Sequence, residues 1–276
     1  MIFDDLLTTL NNNQVSEPQG FQAYIKKLNT QANTAASISV DSIKSLKANL
    51  RKSNTMVLRL GSRASDKQTY FSLVKTQNVR DFFFYDQELF AALKPELFLP
   101  AVSIRSLFAF QLLPKVTETS VVNLACASGL LKEALSLDNE ASIIVPATGQ
   151  STFTFKFKPI CDEDTVLEHI NGQVEIDAVF VGKRNGKEHL FVIEAKHGEK
   201  FDSLAKHKLL YPCLSLLEKL PASMPIVPVY LRSIRTNNGI DFFFAECSPF
   251  VNQQDALYSL NTLKPCKTQA HHLANY

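Results

Sequence analysis

Glycine is scarce in this chain of 276 residues, nine in all, and no stretch is of low complexity. That argues against extensive disorder, and a hydrophobic content of 45% supports a sizeable core. Cysteine is scarce as well: Cys126, Cys161, Cys213, Cys247 and Cys266. The number is odd, no two lie close in sequence, and no CxxC occurs. Reduced, mostly buried thiols in a cytoplasmic protein fit this usage better than a disulfide framework or a zinc site. No apolar run approaches the roughly 18–20 residues of a transmembrane helix. The N-terminus, MIFDDLLTTLNNNQ, has no basic region ahead of an apolar one, so no signal peptide is expected. A glycine-rich phosphate loop and an evident Ser-His-Asp arrangement are both missing, which leaves kinase, NTPase and serine-hydrolase readings without support. The formal net charge of +2 is too mild to declare a nucleic-acid binder from the total alone.

The distribution of charge says more. Between residues 22 and 67, nine basic side chains meet only two acids, Asp41 and Asp66. Residues 1–54 read as helical. Within them, 41–52 (DSIKSLKANLRK) predicts a helix with Asp41 as N-cap and an apolar stripe of Ile43, Leu46 and Leu50. Lys44, Lys47 and Arg51 form a basic stripe beside it. Such a face suits phosphate contacts, which give affinity without sequence information, or it is an ordinary solvated helix face. From Thr55 the pattern becomes strand-like: 56–60 and 69–75 flank the basic loop GSRASDKQ, and 79–86 is a candidate third strand. Arg59, Arg63 and Lys67 extend the basic set. Residues 86–97 read as a short helix, and prolines at 100 and 114 place a boundary at about 100–118. The expected organisation is therefore an α+β region over 1–115 and a second domain over 116–276.

In that second domain, 120–137 predicts a helix interrupted by no more than Gly129, whose cost of about 1 kcal/mol against Ala suggests a close packing contact. Ile143–Val145 is a short apolar run. Residues 152–158 (TFTFKFK) alternate strictly, with Phe153, Phe155 and Phe157 on the core face. Residues 200–220 read as a helix with Leu204, Leu209, Leu210, Leu214 and Leu217 inward. Strands follow at 226–231 and 241–247, joined by Asn237-Asn238-Gly239. The tail from about 260 shows no pattern.

The most informative stretch is 174–197. Two Val/Ile/Phe-rich runs flank Asn185-Gly186, the strongest short hairpin signal, because a type I′ turn needs positive φ at both central residues. With that turn as the two-residue loop, Arg184 pairs with Lys187, Phe180 with Phe191 and Ala178 with Ile193. Continued outward, Asp177 falls opposite Glu194 and Glu175 opposite Lys196. Like charges across a sheet destabilise it; a divalent cation between the carboxylates turns that liability into a site, since hard cations take oxygen ligands. Lys196 shares their face, because side chains alternate with period two.

Asp177, followed on the next strand by Glu194-Ala195-Lys196, resembles the PD-(D/E)xK nuclease superfamily, in which E-A-K is a frequent form of the second half-motif. The residue before Asp177 is Ile176 where many members have Pro. The resemblance implies an αβββαβ core with a mixed central sheet over about 120–247, an α/β architecture like that of restriction endonucleases. It implies Mg²⁺ (or Mn²⁺) held by Asp177, Glu194 and the Ala195 carbonyl, and Lys196 as the lysine that orients the nucleophile or stabilises the transition state. A glutamate on the first core helix belongs to several members; Glu133 is the candidate here, with Glu140 behind it. Glu175 is a further ligand or the partner of Lys196. On the following helix, Lys208 and Tyr211 loosely match cleft-lining positions of related families. The expected activity is metal-dependent hydrolysis of DNA phosphodiester bonds by a type II restriction-like homodimer. Alternatives are a repair or junction nuclease and a non-catalytic DNA-binding module.

Overall fold

The computed structural model describes residues 1–11, 14–63, 65–113, 115–138, 145–159, 164–253 and 256–276. Glu140, Cys161 and the start of the run at 143–145 lie outside them. In chain order the helices are α1 Asp4–Thr9, α2 Phe21–Lys27, α3 Thr34–Ile38, α4 Ala48–Lys52, α5 Asp86–Phe90, α6 Phe108–Gln111, α7 Glu118–Ala127, α8 Leu130–Ala134 and α9 Lys206–Leu217. The strands are β1 Gln19–Gly20, β2 Thr55–Ser62, β3 Thr69–Lys75, β4 Phe83–Tyr85, β5 Glu96–Leu97, β6 Ala147–Phe157, β7 Leu167–Arg184, β8 Lys187–Gly198, β9 Ser203–Ala205, β10 Ile226–Arg235, β11 Gly239–Cys247 and β12 Pro265–Ala274.

One mixed sheet organises the chain, in the order β1-β3-β2-β7-β8-β10-β11-β12-β5, with β6 also paired to β7; β4 and β9 form a separate pair. β6, β7 and β8 are antiparallel neighbours, and β10 returns parallel to β8 after α9. From α7 onward the order is α7, α8, β6, β7, β8, the short β9, α9 and β10, so the protein is an α/β fold with a mixed sheet. Its two faces feed two cores. Phe180, Phe191, Ile193, Val229 and Phe242 pack under α7 and α8, while Leu190, Val192, Tyr230 and Phe243 pack with α9 and the N-terminal elements.

The N-terminal strands join this sheet at a single pair, Gly61 with Ile170. Gly61 has φ +78°, and a Cβ there would stand 2.1 Å from the Ile170 carbonyl oxygen and 2.7 Å from the Gly172 Cα. Only glycine allows so close an approach of two backbones.

Several local expectations fail for identifiable reasons. Residues 41–47 are turns, and helix α4 begins only at Ala48. The Ser45 hydroxyl accepts from the Asp41 and Ser42 amides at 3.0 and 3.1 Å, a side-chain turn that competes with helix. The stripe of Lys44, Lys47 and Arg51 is accordingly not a helical face. The helix expected over 120–137 is two helices, α7 and α8. Gly129 between them takes φ +84° with nothing within 4 Å of a built Cβ, so its role is backbone conformation and not packing. The region expected to be a helix from 200 opens with β9, and the helix expected over 86–97 stops at Phe90. Residues 79–82 are a 3-10 turn before β4. The patternless tail holds β12, which pairs along β11.

Candidate active site

The hairpin register is as the turn dictates: Ala178–Ile193 through Arg184–Lys187 are paired, with Asn185 and Gly186 at φ 51° and 76°. Pairing stops at Ala178–Ile193. On the other side of β7, Ile176 pairs with Gly149 and Val179 with Ala147. One residue of β6, Thr148, thus stands against two of β7, a bulge at Asp177-Ala178. Bulges re-aim side chains and end pairing. In place of a partner strand residue, the Asp177 carboxylate accepts the Ala195 amide at 2.9 Å.

Beside it Glu194 is buried, 3% exposed. Lys196 Nζ lies 3.0 Å from Glu194 Oε1 and 3.2 Å from Glu118 Oε1. Glu118 is the first residue of α7, whose N-cap Thr117 accepts from the Ser120 amide. Lys208, on the first turn of α9, reaches Asp41 at 3.2 Å. Four carboxylates (Asp177, Glu194, Glu118, Asp41) and two ammonium groups (Lys196, Lys208) therefore share one half-buried region, an excess of two negative charges when all are ionised.

Burial sets the protonation of this group. It raises the Glu194 carboxyl to about 8, with Asp177 adding to the rise and Lys196 opposing it. It raises Asp177 as well, against the pull of the Ala195 amide and Lys196. Burial works against the Lys196 ammonium, but Glu194, Glu118 and Asp177 outweigh it and hold its pKa above the ordinary lysine value. Lys208 is raised in the same way by Glu194 and Asp41, against its own burial. Burial acts to raise Asp41, but Lys208 prevails and lowers it. Both lysines are therefore cations at neutral pH, while Glu194 sits where ionisation is costly unless more positive charge arrives.

Among the described residues no group of three or more His, Cys, Asp and Glu side chains converges on one point as a metal cage. The two carboxylates nearest the bulge, Asp177 and Glu194, carry oxygen atoms of the kind Mg²⁺ and Mn²⁺ accept.

Several expected members lie elsewhere. Glu133 is on α8, well exposed, 3.9 Å from His271 Nδ1, and the acid that reaches Lys196 from the preceding helix is Glu118 of α7. Glu175 is exposed, and it has no partner on β8 because the pairing of the two strands ends at Ala178–Ile193. Tyr211 is buried with its hydroxyl 3.5 Å from the Arg59 carbonyl oxygen, in a ring cluster with Phe155, Phe157 and His169. Lys44 is paired with Asp202 at 2.8 Å, and Arg63 lies over the Tyr70 ring. Arg59 is half-buried in β2, Lys47 is the N-cap of α4, Arg51 lies in the last turn of that helix, and Lys67 is in the loop between β2 and β3. The signal for Glu118 was present in the sequence: Thr117 ahead of an acid in a first helical turn is a helix start.

Residues 85–267, well over half of the chain, match the model of a family described as a domain of unknown function, DUF6997. The chain belongs to that family. No curated protein and no solved structure matches it. The DUF6997 segment contains Asp177, Glu194, Lys196, Glu118 and Lys208, while Asp41 and Arg59 come from outside it.

Proposed function

We propose that this DUF6997 protein is a divalent-metal-dependent nuclease that hydrolyses phosphodiester bonds in DNA. One observation carries the reading: two carboxylates, Asp177 and the buried Glu194, stand at a bulge that ends a hairpin, with Lys196 held charged beside them. The order of strands around them and the E-A-K spacing support it, in line with the resemblance to restriction-endonuclease-like enzymes. Asp177, Glu194 and the Ala195 carbonyl would hold the cation. When bound, it would lower the pKa of a water and offset charge on the phosphate. Lys196 orients the attacking water or neutralises charge growing on a non-bridging oxygen, and Glu194 and Glu118 keep it protonated and in place. Lys208 offers a second cation for the strand.

The test is incubation of plasmid and phage DNA with Mg²⁺ or Mn²⁺, comparing wild type with Asp177→Ala and Lys196→Ala. The expected loss in each variant is about 10²–10³ in rate, the usual cost of one charge-stabilising group. Discrete fragments place the protein with sequence-specific enzymes, where a palindromic cut calls for a symmetric homodimer. Random nicking favours a repair or junction nuclease. Tight DNA binding without cleavage would leave only a non-catalytic module and would sink the enzyme reading.

A further inference from the structure

Next to the candidate site lies a cavity of about 90 Å³ that the catalytic reading leaves unused. It is lined in part by Asp41, Arg59, Glu175, His207, Lys208 and Tyr211. Asp41 and Lys208 also belong to the charge cluster around Glu194, so the cavity adjoins the site directly. Two polar atoms in its lining residues are buried without a hydrogen-bond partner among the described residues: Arg59 Nε and His207 Nδ1. His207 is 7% exposed, and burial lowers its pKa to about 3, so the ring is neutral. A buried polar group left unmatched costs about 1–3 kcal/mol, and native proteins carry few of them. These two belong to residues on separate elements, β2 and α9, that both line the cavity.

We infer that this cavity receives the edge of a single guanine base unstacked from the nucleic-acid strand held at the candidate site. The inference rests on the nuclease reading for the strand and adds what is read on it. The His207 and Tyr211 rings stand in the lining with centroids 5.4 Å apart and planes tilted by 59°, so they make an aromatic corner against which one base edge can rest. The Arg59 guanidinium matches the O6 and N7 acceptors of guanine, the commonest arginine–base contact. Asp41 and Glu175 supply acceptors for the N1–H and N2–H donors of its other edge. Those two carboxylates disfavour a free phosphate in the same place, and the volume takes the edge of one base and no base pair. Extrusion of one nucleotide costs a few kcal/mol of stacking, which contacts of this kind offset.

The test uses the full chain without metal, so cleavage plays no part. The four deoxynucleoside monophosphates and inorganic phosphate are titrated separately while the histidine ring nitrogens are followed by NMR, with His207→Gln identifying its signal. The expected result is that dGMP shifts the His207 ring signal and binds about tenfold or more tighter than the other three, the range for one well-matched base contact. Arg59→Met should weaken dGMP about tenfold. Asp41→Asn, on an exposed turn where folding is not at stake, should reduce the preference for guanine over adenine. Equal binding of all four nucleotides, an identical response to inorganic phosphate, or no response at millimolar nucleotide overturns the inference. Loss of this binding in a chain that still cleaves DNA removes the base pocket alone. Guanine binding in a chain that cleaves nothing removes the nuclease reading alone.

Discussion

At its turn the β7–β8 hairpin pairs residue for residue, from Ala178–Ile193 to Arg184–Lys187, and its apolar side chains divide between two cores. At its open end the same two strands stop pairing, a bulge intervenes, and Asp177, Glu194 and Lys196 gather with charges from α7 and α9. The paired end is stabilised by burial of Phe180 against Phe191, rings 5.2 Å apart and nearly parallel. The open end carries a buried carboxylate that burial penalises. The chain thus spends one end of a single hairpin on stability and leaves the other under electrostatic tension, which is where a cation or a phosphate would find unmet charge.

That contrast is open to experiment. Phe191→Ala attacks the paired end: truncating a fully buried phenylalanine should cost about 3–5 kcal/mol in urea unfolding, with cleavage per folded molecule little changed. A cost below ~1 kcal/mol would show that the core under α7 collapses to fill the space. At the open end, Glu118→Gln removes one of the two acids beside Lys196 while leaving the lysine. It should slow cleavage by about tenfold, well short of the 10²–10³ expected for Lys196→Ala; equal losses would mean that Glu118 is itself essential.

Glu194 tests the tension itself. Folding raises its carboxyl from 4.5 to about 8. The group costs the fold nothing when protonated, below about pH 4.5, and its penalty grows as pH rises towards 8. Glu194→Gln should therefore melt higher than wild type at pH 8.5, by roughly 2–4 °C for each ~1 kcal/mol of penalty removed, and the gap should close near pH 5. Mg²⁺ at pH 8.5 should raise the wild-type melting temperature more than that of the variant. An unchanged gap across this range would show that Glu194 stays charged at little cost. The smallest effect belongs to the turn. Gly186→Ala meets nothing within 4 Å, so only the strain of φ +76° opposes it, about 1–2 kcal/mol, with the register kept by Asn185 and the apolar pairs.

Legibility followed the range of the interactions. The hairpin could be read because a two-residue Asn-Gly turn fixes every pair beyond it until something breaks the ladder. The break at Asp177-Ala178 could not, because it depends on β6 lying along the far side of β7. With the ladder ended there, Glu175 has no partner on β8 and lies instead in the lining of the neighbouring cavity. Residues 41–52 carry a helical apolar stripe, yet Ser45 bonds the local backbone, the Ile43 amide donates to Ser203, and the Asp41 carbonyl accepts from Ala205. Tertiary partners 160 residues away in sequence decided that segment. β12 was invisible because PCKTQAHHLA has little strand alternation; β11 recruits it as a neighbour.

What the sequence determined by itself was local and periodic: the long apolar strands, the tight turn, the core face of β6, and the placing of Asp177, Glu194 and Lys196 at one end of a hairpin. Two-residue periodicity and positive-φ turns need no distant contact to be fixed. What only the tertiary structure decided was the company those residues keep. Glu118 arrives because α7 packs on β8, and Asp41 arrives because a turn before α4 is pinned to β9. Arg59 and His207 come to one cavity because β2 and α9 both pack against β7. Charge interactions act through space, so no spacing in the chain announces them.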